Sequence, residues 1–242
     1  MSSQRFGQTR RAFGVVAVAV AASWAGIMGV PVASVSAQPC PDVEVVFARG
    51  TGEPPGVGGV GQAFVDGLRS QVAPRSVDVY AVDYPASSNF SGGIEFARTV
   101  VDGIRDAGTH IEATAANCPS TRIVLGGYSQ GAALAGYVTS AAIPDSVPAE
   151  FRSYIPQPMP PQIADHVAAV ALFGQPSNEF MRENGVPPVV IGPLYAPKTI
   201  NLCADGDTIC NGAPGAMPSI AHVMYAPNGM VGQAVAFAAG RL

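Results

Sequence analysis

The chain has 242 residues, 48% of them apolar, with 13 basic against 17 acidic side chains. That size and composition suit one α/β domain with a substantial core. Beyond residue 11 no run of basic residues occurs, so nucleic acid and anionic membranes, which need clustered cations, are poor partners.

Residues 1–37 carry Arg5, Arg10 and Arg11, then an apolar run from Ala12 to Val32, then Val35-Ser36-Ala37. A positive start, an apolar stretch and a small-residue site are the order of a secretory signal peptide, with cleavage expected after Ala37. Arg10-Arg11 ahead of Ala12-Phe13 leaves a twin-arginine route open. A retained anchor is the alternative, because the run nearly spans a bilayer; the small-residue site directly behind it favours cleavage. Residues 38–242 are then the mature domain, expected outside the cell or in its envelope. Losing three arginines leaves ten basic against 17 acidic residues, a net charge of −7.

All four cysteines, Cys40, Cys118, Cys203 and Cys210, lie in the mature part. Export and an even count predict two disulfides. The short spacing favours Cys203 with Cys210, which leaves Cys40 with Cys118. In the loop-entropy picture the long bridge stabilises by roughly 4–5 kcal/mol and the short one by about 2.5. No metal is expected, because short C-x-x-C spacings with nearby histidines are missing.

Five apolar runs read as strands: 43–50 (VEVVFARG), 77–85, 121–129 (TRIVLGGYS), 166–174 (HVAAVALFG) and 198–203. They are continuous rather than alternating, as for strands covered on both faces. Helical patterns occupy 58–73, 92–116 and 130–142, and a last one follows residue 220. This alternation predicts a mostly parallel sheet. The proline-rich stretch 143–166 and the stretch 175–197 read as irregular connections.

GYSQG, at 127–131, is a G-x-S-x-G pattern between a strand and a helix. Flanking glycines permit a tight turn that projects the Ser129 hydroxyl above the sheet edge as a nucleophile. The competing reading is a serine that merely caps the next helix. A serine nucleophile needs a base and a group to orient that base. Of three histidines, His110 sits mid-helix beside Glu112 on what reads as a solvated face, and His166 opens a strand. His222 follows in the order nucleophile, acid, histidine. The acid should follow a strand, which leaves Asp205 and Asp207 inside CADGDTIC; physical reasoning alone does not separate them.

GYSQG, CADGDTIC and the late His222 together resemble the cutinase family, closest to the exported cutinase-like proteins of mycobacteria and related actinomycetes. CPDVEVVFARGTGEPPGVGGVG, VYAVDYPAS and PLYAPKTINLC extend the resemblance over nearly the whole mature chain. It implies a single-domain α/β-hydrolase with a central, mostly parallel five-stranded sheet covered by helices on both faces. It also implies Ser129, Asp207 and His222 as catalytic residues, an oxyanion hole from Thr51 and the backbone N–H of Gln130, and the Cys40–Cys118 pair. The expected activity is cofactor-free hydrolysis of short- to medium-chain carboxylic esters through an acyl-serine, by a monomer. Phe90, Met217 and Ile220 supply an apolar rim suited to an acyl chain and to contact with lipid surfaces. A phospholipase A or a thioesterase would use the same triad. A secreted envelope protein with little activity is the rival outside enzymes.

Overall fold

The computed structural model describes residues 39–242; the expected signal peptide lies outside the described residues. Five strands form one sheet: β1 (Val43–Ala48), β2 (Val77–Ala81), β3 (Arg122–Tyr128), β4 (Val167–Phe173) and β5 (Thr199–Leu202). Their order is β2-β1-β3-β4-β5, and every pairing is parallel. Helices are α1 (Gly58–Val72), α2 (Ile94–Asn117), α3 (Gln130–Val138), α4 (Asn178–Glu183) and α5 (Met230–Ala239).

Continuous apolar strands have apolar partners above and below. On one face Val45, Phe47, Val124 and Phe173 pack with Phe64 and Leu68 of α1 and Val235 of α5. On the other, Val46, Leu125, Val170 and Leu172 pack with Ile111 of α2 and Leu134 of α3. All seven residues of β4 are buried, which accounts for its unbroken apolar run. The 143–166 stretch holds only short helical turns, at Ala149–Phe151 and Pro161–Asp165. Among the described residues no helix is long and apolar enough to cross a membrane. The sulfurs of Cys40 and Cys118 are bonded, as are those of Cys203 and Cys210. The first bond ties the approach to β1 to the end of α2.

Several elements are shorter than the sequence patterns suggest. β2 stops at Ala81 because Asp83 N–H donates to the Asp106 carboxylate on α2 (2.8 Å), which draws the chain off the sheet. α3 stops at Val138, where the Thr139 hydroxyl turns back onto the Gly136 carbonyl and the Thr139 carbonyl accepts from Gly192 N–H. α4, read as loop from the sequence, is a six-residue helix capped by the Ser177 hydroxyl, and it buries Met181 against Val189 and Ala133.

His110 does not lie on a solvated face. Its ring stacks on Tyr80 at 3.5 Å between centroids, and Nε2 lies 3.0 Å from the Glu44 carboxylate. Thr114 Oγ1 donates to the other Glu44 oxygen (2.8 Å). Burial opposes the charge of Glu44, but the hydrogen bonds from His110 and Thr114 outweigh it and hold the carboxyl below its ordinary 4.5. A folded-state value below the unfolded one means that stability is fully present above 4.5 and is lost as the pH falls through the folded-state value. Glu44→Gln should therefore lower stability by ~1 kcal/mol at neutral pH, with the gap to wild type closing in acid. Urea melts at neutral and acid pH measure this; a constant gap contradicts it.

Candidate active site

In the strand order 2-1-3-4-5, consecutive crossovers reverse direction between β1 and β3. A crevice therefore opens there at the carboxyl edge, where such sheets bind ligands. Ser129 stands at that point. Its backbone has φ 55° and ψ −116°, a conformation that costs a side-chain-bearing residue about 1–3 kcal/mol. Both flanking glycines are sterically required. A Cβ on Gly127 would lie 2.1 Å from the Gly131 carbonyl oxygen, and one on Gly131 would lie 2.0 Å from that of Ala48. The turn thus presses α3 against the end of β1. Ser129 makes no capping hydrogen bond to α3; its Oγ lies 2.8 Å from His222 Nε2.

The other ring nitrogen of His222, Nδ1, lies 2.8 Å from Asp207 Oδ2. Asp207 is fully buried and Asp205 is exposed, which separates two residues that spacing alone left level. The ring closed by Cys203 and Cys210 turns Asp207 inward: its N–H donates to the Ala204 carbonyl (2.9 Å), and its Oδ1 accepts from Ile209 N–H (3.1 Å). Tyr225 Oη donates to Oδ2 at 2.5 Å and accepts from Ala204 N–H at 3.1 Å, clamping the carboxylate to the end of β5. Burial, and then the hydrogen bond to Asp207, push the Tyr225 phenol well above its ordinary value, so it remains a donor. The Tyr128 phenol donates to the His222 carbonyl (2.7 Å) and fixes the turn that carries the imidazole. Burial foremost, with the Glu53 and Asp207 charges, raises it to about 12. Gly174, at φ +59°, leaves room for the imidazole; a Cβ there would sit 3.1 Å from His222 Cε1.

His110 and His166 stand apart from this site. His166 precedes β4 and His110 faces Glu44 near the start of β1, both toward the amino edge of the sheet.

Thr51 and Gln130 line the same cavity as Ser129 and His222. Gln130 opens α3, where first-turn N–H groups lack intrahelical acceptors and are available to an anion. The Thr51 loop is held from below by Glu53, whose carboxylate accepts from Gly50 N–H (2.6 Å) and Gly59 N–H (2.8 Å). Buried Arg49 adds Nε to the Glu53 carbonyl (2.9 Å) and Nη2 to the Tyr84 carbonyl (2.5 Å). Sequence reasoning passed over Arg49, Glu53, Tyr128 and Tyr225. For Glu53 a signal existed, since an acid in a glycine-rich turn is an acceptor among otherwise unpaired N–H groups. Tyr225 carries no such mark.

Cys203, Asp207 and Cys210 group closely enough to suggest a metal, but the sulfurs are bonded to each other and Asp207 already receives three hydrogen bonds. The cavity has a volume of about 1560 Å³. Phe90 and Met217 line it and are largely exposed, whereas Ile220 stands outside the lining.

A family model described as Cutinase matches residues 39–242. The probable carboxylesterase Culp7 of Mycobacterium tuberculosis is 59% identical over 173 residues, 72% of this chain and 89% of its own length. The phospholipase Culp4 of the same organism is 44% identical over 238 residues, covering 98% of this chain and 95% of its own. Among solved structures, the catalytic core domain of acetyl xylan esterase from Trichoderma reesei aligns with a TM-score of 0.65 at 26% identity, over 84% of this chain and 100% of that one. Trichoderma reesei cutinase in complex with a phosphonate inhibitor aligns with a TM-score of 0.59 at 30% identity, over 84% and 77%. With the whole described domain matched and relatives this close, the chain belongs to the cutinase family.

Proposed function

We propose that this protein is a secreted serine esterase that cleaves carboxylic esters through an acyl-serine. One observation carries the reading: a strained, uncapped serine, an imidazole and a buried carboxylate form a single hydrogen-bonded row under an apolar cavity. His222 takes the proton of Ser129 as Oγ attacks the ester carbonyl. The oxyanion accepts hydrogen bonds from Gln130 N–H and the Thr51 hydroxyl, and one such donor is worth roughly 3–4 kcal/mol in the transition state. Collapse breaks the C–O bond, and the alcohol leaves with the proton from His222. Water then gives its proton to the same nitrogen, attacks the acyl-serine and releases the acid. Asp207 holds the ring in the tautomer that keeps Nε2 free to accept.

The two disulfides fit an oxidising compartment, and cleavage of 1–37 after export is part of this reading. Short- and medium-chain esters fit the exposed apolar mouth. A phospholipase reading is favoured by the likeness to Culp4, and it uses the same row of residues.

An alkyl p-nitrophenyl phosphonate tests the reading directly. It should form one adduct on the tryptic peptide 123–152, which contains Ser129, and stop ester hydrolysis in proportion. Full hydrolysis with Ser129 unlabelled would end the proposal.

A further inference from the structure

Three donors converge on the Asp207 carboxylate, and two of them share one oxygen. The Cys203–Cys210 bond, the Asp207 N–H on the Ala204 carbonyl and the Ile209 N–H on Oδ1 already fix this residue in place. The Tyr225 hydroxyl nevertheless lands on Oδ2, at 2.5 Å, where His222 Nδ1 also lies, at 2.8 Å. A bond this short from a hydroxyl to a carboxylate is strong and charge-assisted. Its donor is polarised in turn, because Tyr225 Oη accepts from Ala204 N–H at 3.1 Å, and hydrogen bonds in such a chain strengthen one another. The phenol is also held still: Tyr225 is fully buried, with the Phe173 ring at 6.2 Å and the Tyr128 ring at 5.9 Å between centroids.

A carboxylate beside an imidazole favours the imidazolium, a form that cannot accept a proton from serine. A second donor on the same oxygen draws its negative charge away from the ring and weakens that pull. The other groups packed around the pair act elsewhere. The Tyr128 phenol, its ring 5.3 Å from the imidazole, donates to the His222 carbonyl. Glu53, whose charge reaches Tyr128, accepts from Gly50 and Gly59 N–H. Cys210 is bonded to Cys203, and Phe173 of β4 and Val231 of α5 are apolar.

We propose that Tyr225 is a positioning residue which, through the shared Oδ2, keeps His222 free to accept the Ser129 proton in mildly acidic surroundings. The proposal rests on the esterase reading and adds a control on that same site.

The test is the pH profile of kcat/KM on p-nitrophenyl butyrate for wild type and Tyr225→Phe. The acid limb of this profile reports the base of the free enzyme. With the hydroxyl gone, Oδ2 answers to the imidazole alone, and His222 takes up a proton more readily. The limb should move to higher pH by about one unit, the usual spread that surroundings impose on an ionisable group. The alkaline plateau should fall severalfold through kcat with KM level, and below both limbs the variant should lose about tenfold more. A purely structural clamp would lower the rate by one factor at every pH. Should Tyr225→Phe fail to fold, 3-fluorotyrosine installed at 225 decides: its more acidic hydroxyl donates more strongly and should move the limb to lower pH. An unmoved limb, or a shift opposite to these, overturns the role of Tyr225 while the esterase reading stands. No ester turnover by the wild type, with Ser129 unlabelled by the phosphonate, overturns both.

Discussion

Ser129→Ala should lower ester turnover by roughly five to six orders of magnitude, the loss typical of a nucleophile that acts as one unit with its base, while the melting temperature stays level. The stability half of this result follows from the hydroxyl's contacts. Ser129 Oγ is bonded to His222 and caps nothing, so its removal leaves the sheet and α3 untouched. Ser129→Gly should be equally inactive and more stable, because glycine adopts φ 55° freely. Initial rates on p-nitrophenyl butyrate and calorimetric melting of the three proteins settle the matter. An alanine variant within tenfold of wild type would mean that another residue attacks the ester.

Asp207→Asn should cost about 10⁴ in kcat, and Asp205→Asn almost nothing. The asparagine oxygen, placed as Oδ1, still accepts from Ile209 N–H, while the amide nitrogen takes the Oδ2 position and loses the bond from Tyr225. The disulfide and the bond from the residue 207 N–H to the Ala204 carbonyl keep the ring's shape. The asparagine amide, however, can turn an N–H toward His222 Nδ1, which selects the tautomer whose Nε2 carries the proton and cannot accept from Ser129. Asp205 is exposed and touches none of these groups. The effect belongs in kcat at saturating ester, with KM little changed. A larger loss at Asp205 than at Asp207 would move the orienting role away from the buried carboxylate.

The sheet was legible because strands covered on both faces write themselves as unbroken apolar runs, as β3 and β4 do. The positions of Ser129 and His222 were legible because a strand–turn–helix with two forced glycines leaves a compact local mark, and chain order then selects one histidine of three. Asp207 was only half legible. Direction around a seven-residue ring is set by backbone hydrogen bonds that spacing does not encode, and the family resemblance supplied what spacing lacked. Glu44, His110 and Tyr80 come from three separate elements, so their contact has no local pattern, and a helix-face reading put His110 in solvent. α4 failed for a related reason: six residues do not sustain a helix alone, and its stability comes from Met181 meeting Val189 and Ala133. Tyr225 joins Asp207 across 18 positions of chain, beyond any periodicity.

The covalent ring around Asp207 has a consequence for where the molecule can work. The Cys203–Cys210 bond closes the short loop that carries Asp207, and neither cysteine belongs to the two apolar layers that cover the sheet. Reduction would remove the constraint of the long Cys40–Cys118 bridge as well as release the short loop that carries Asp207.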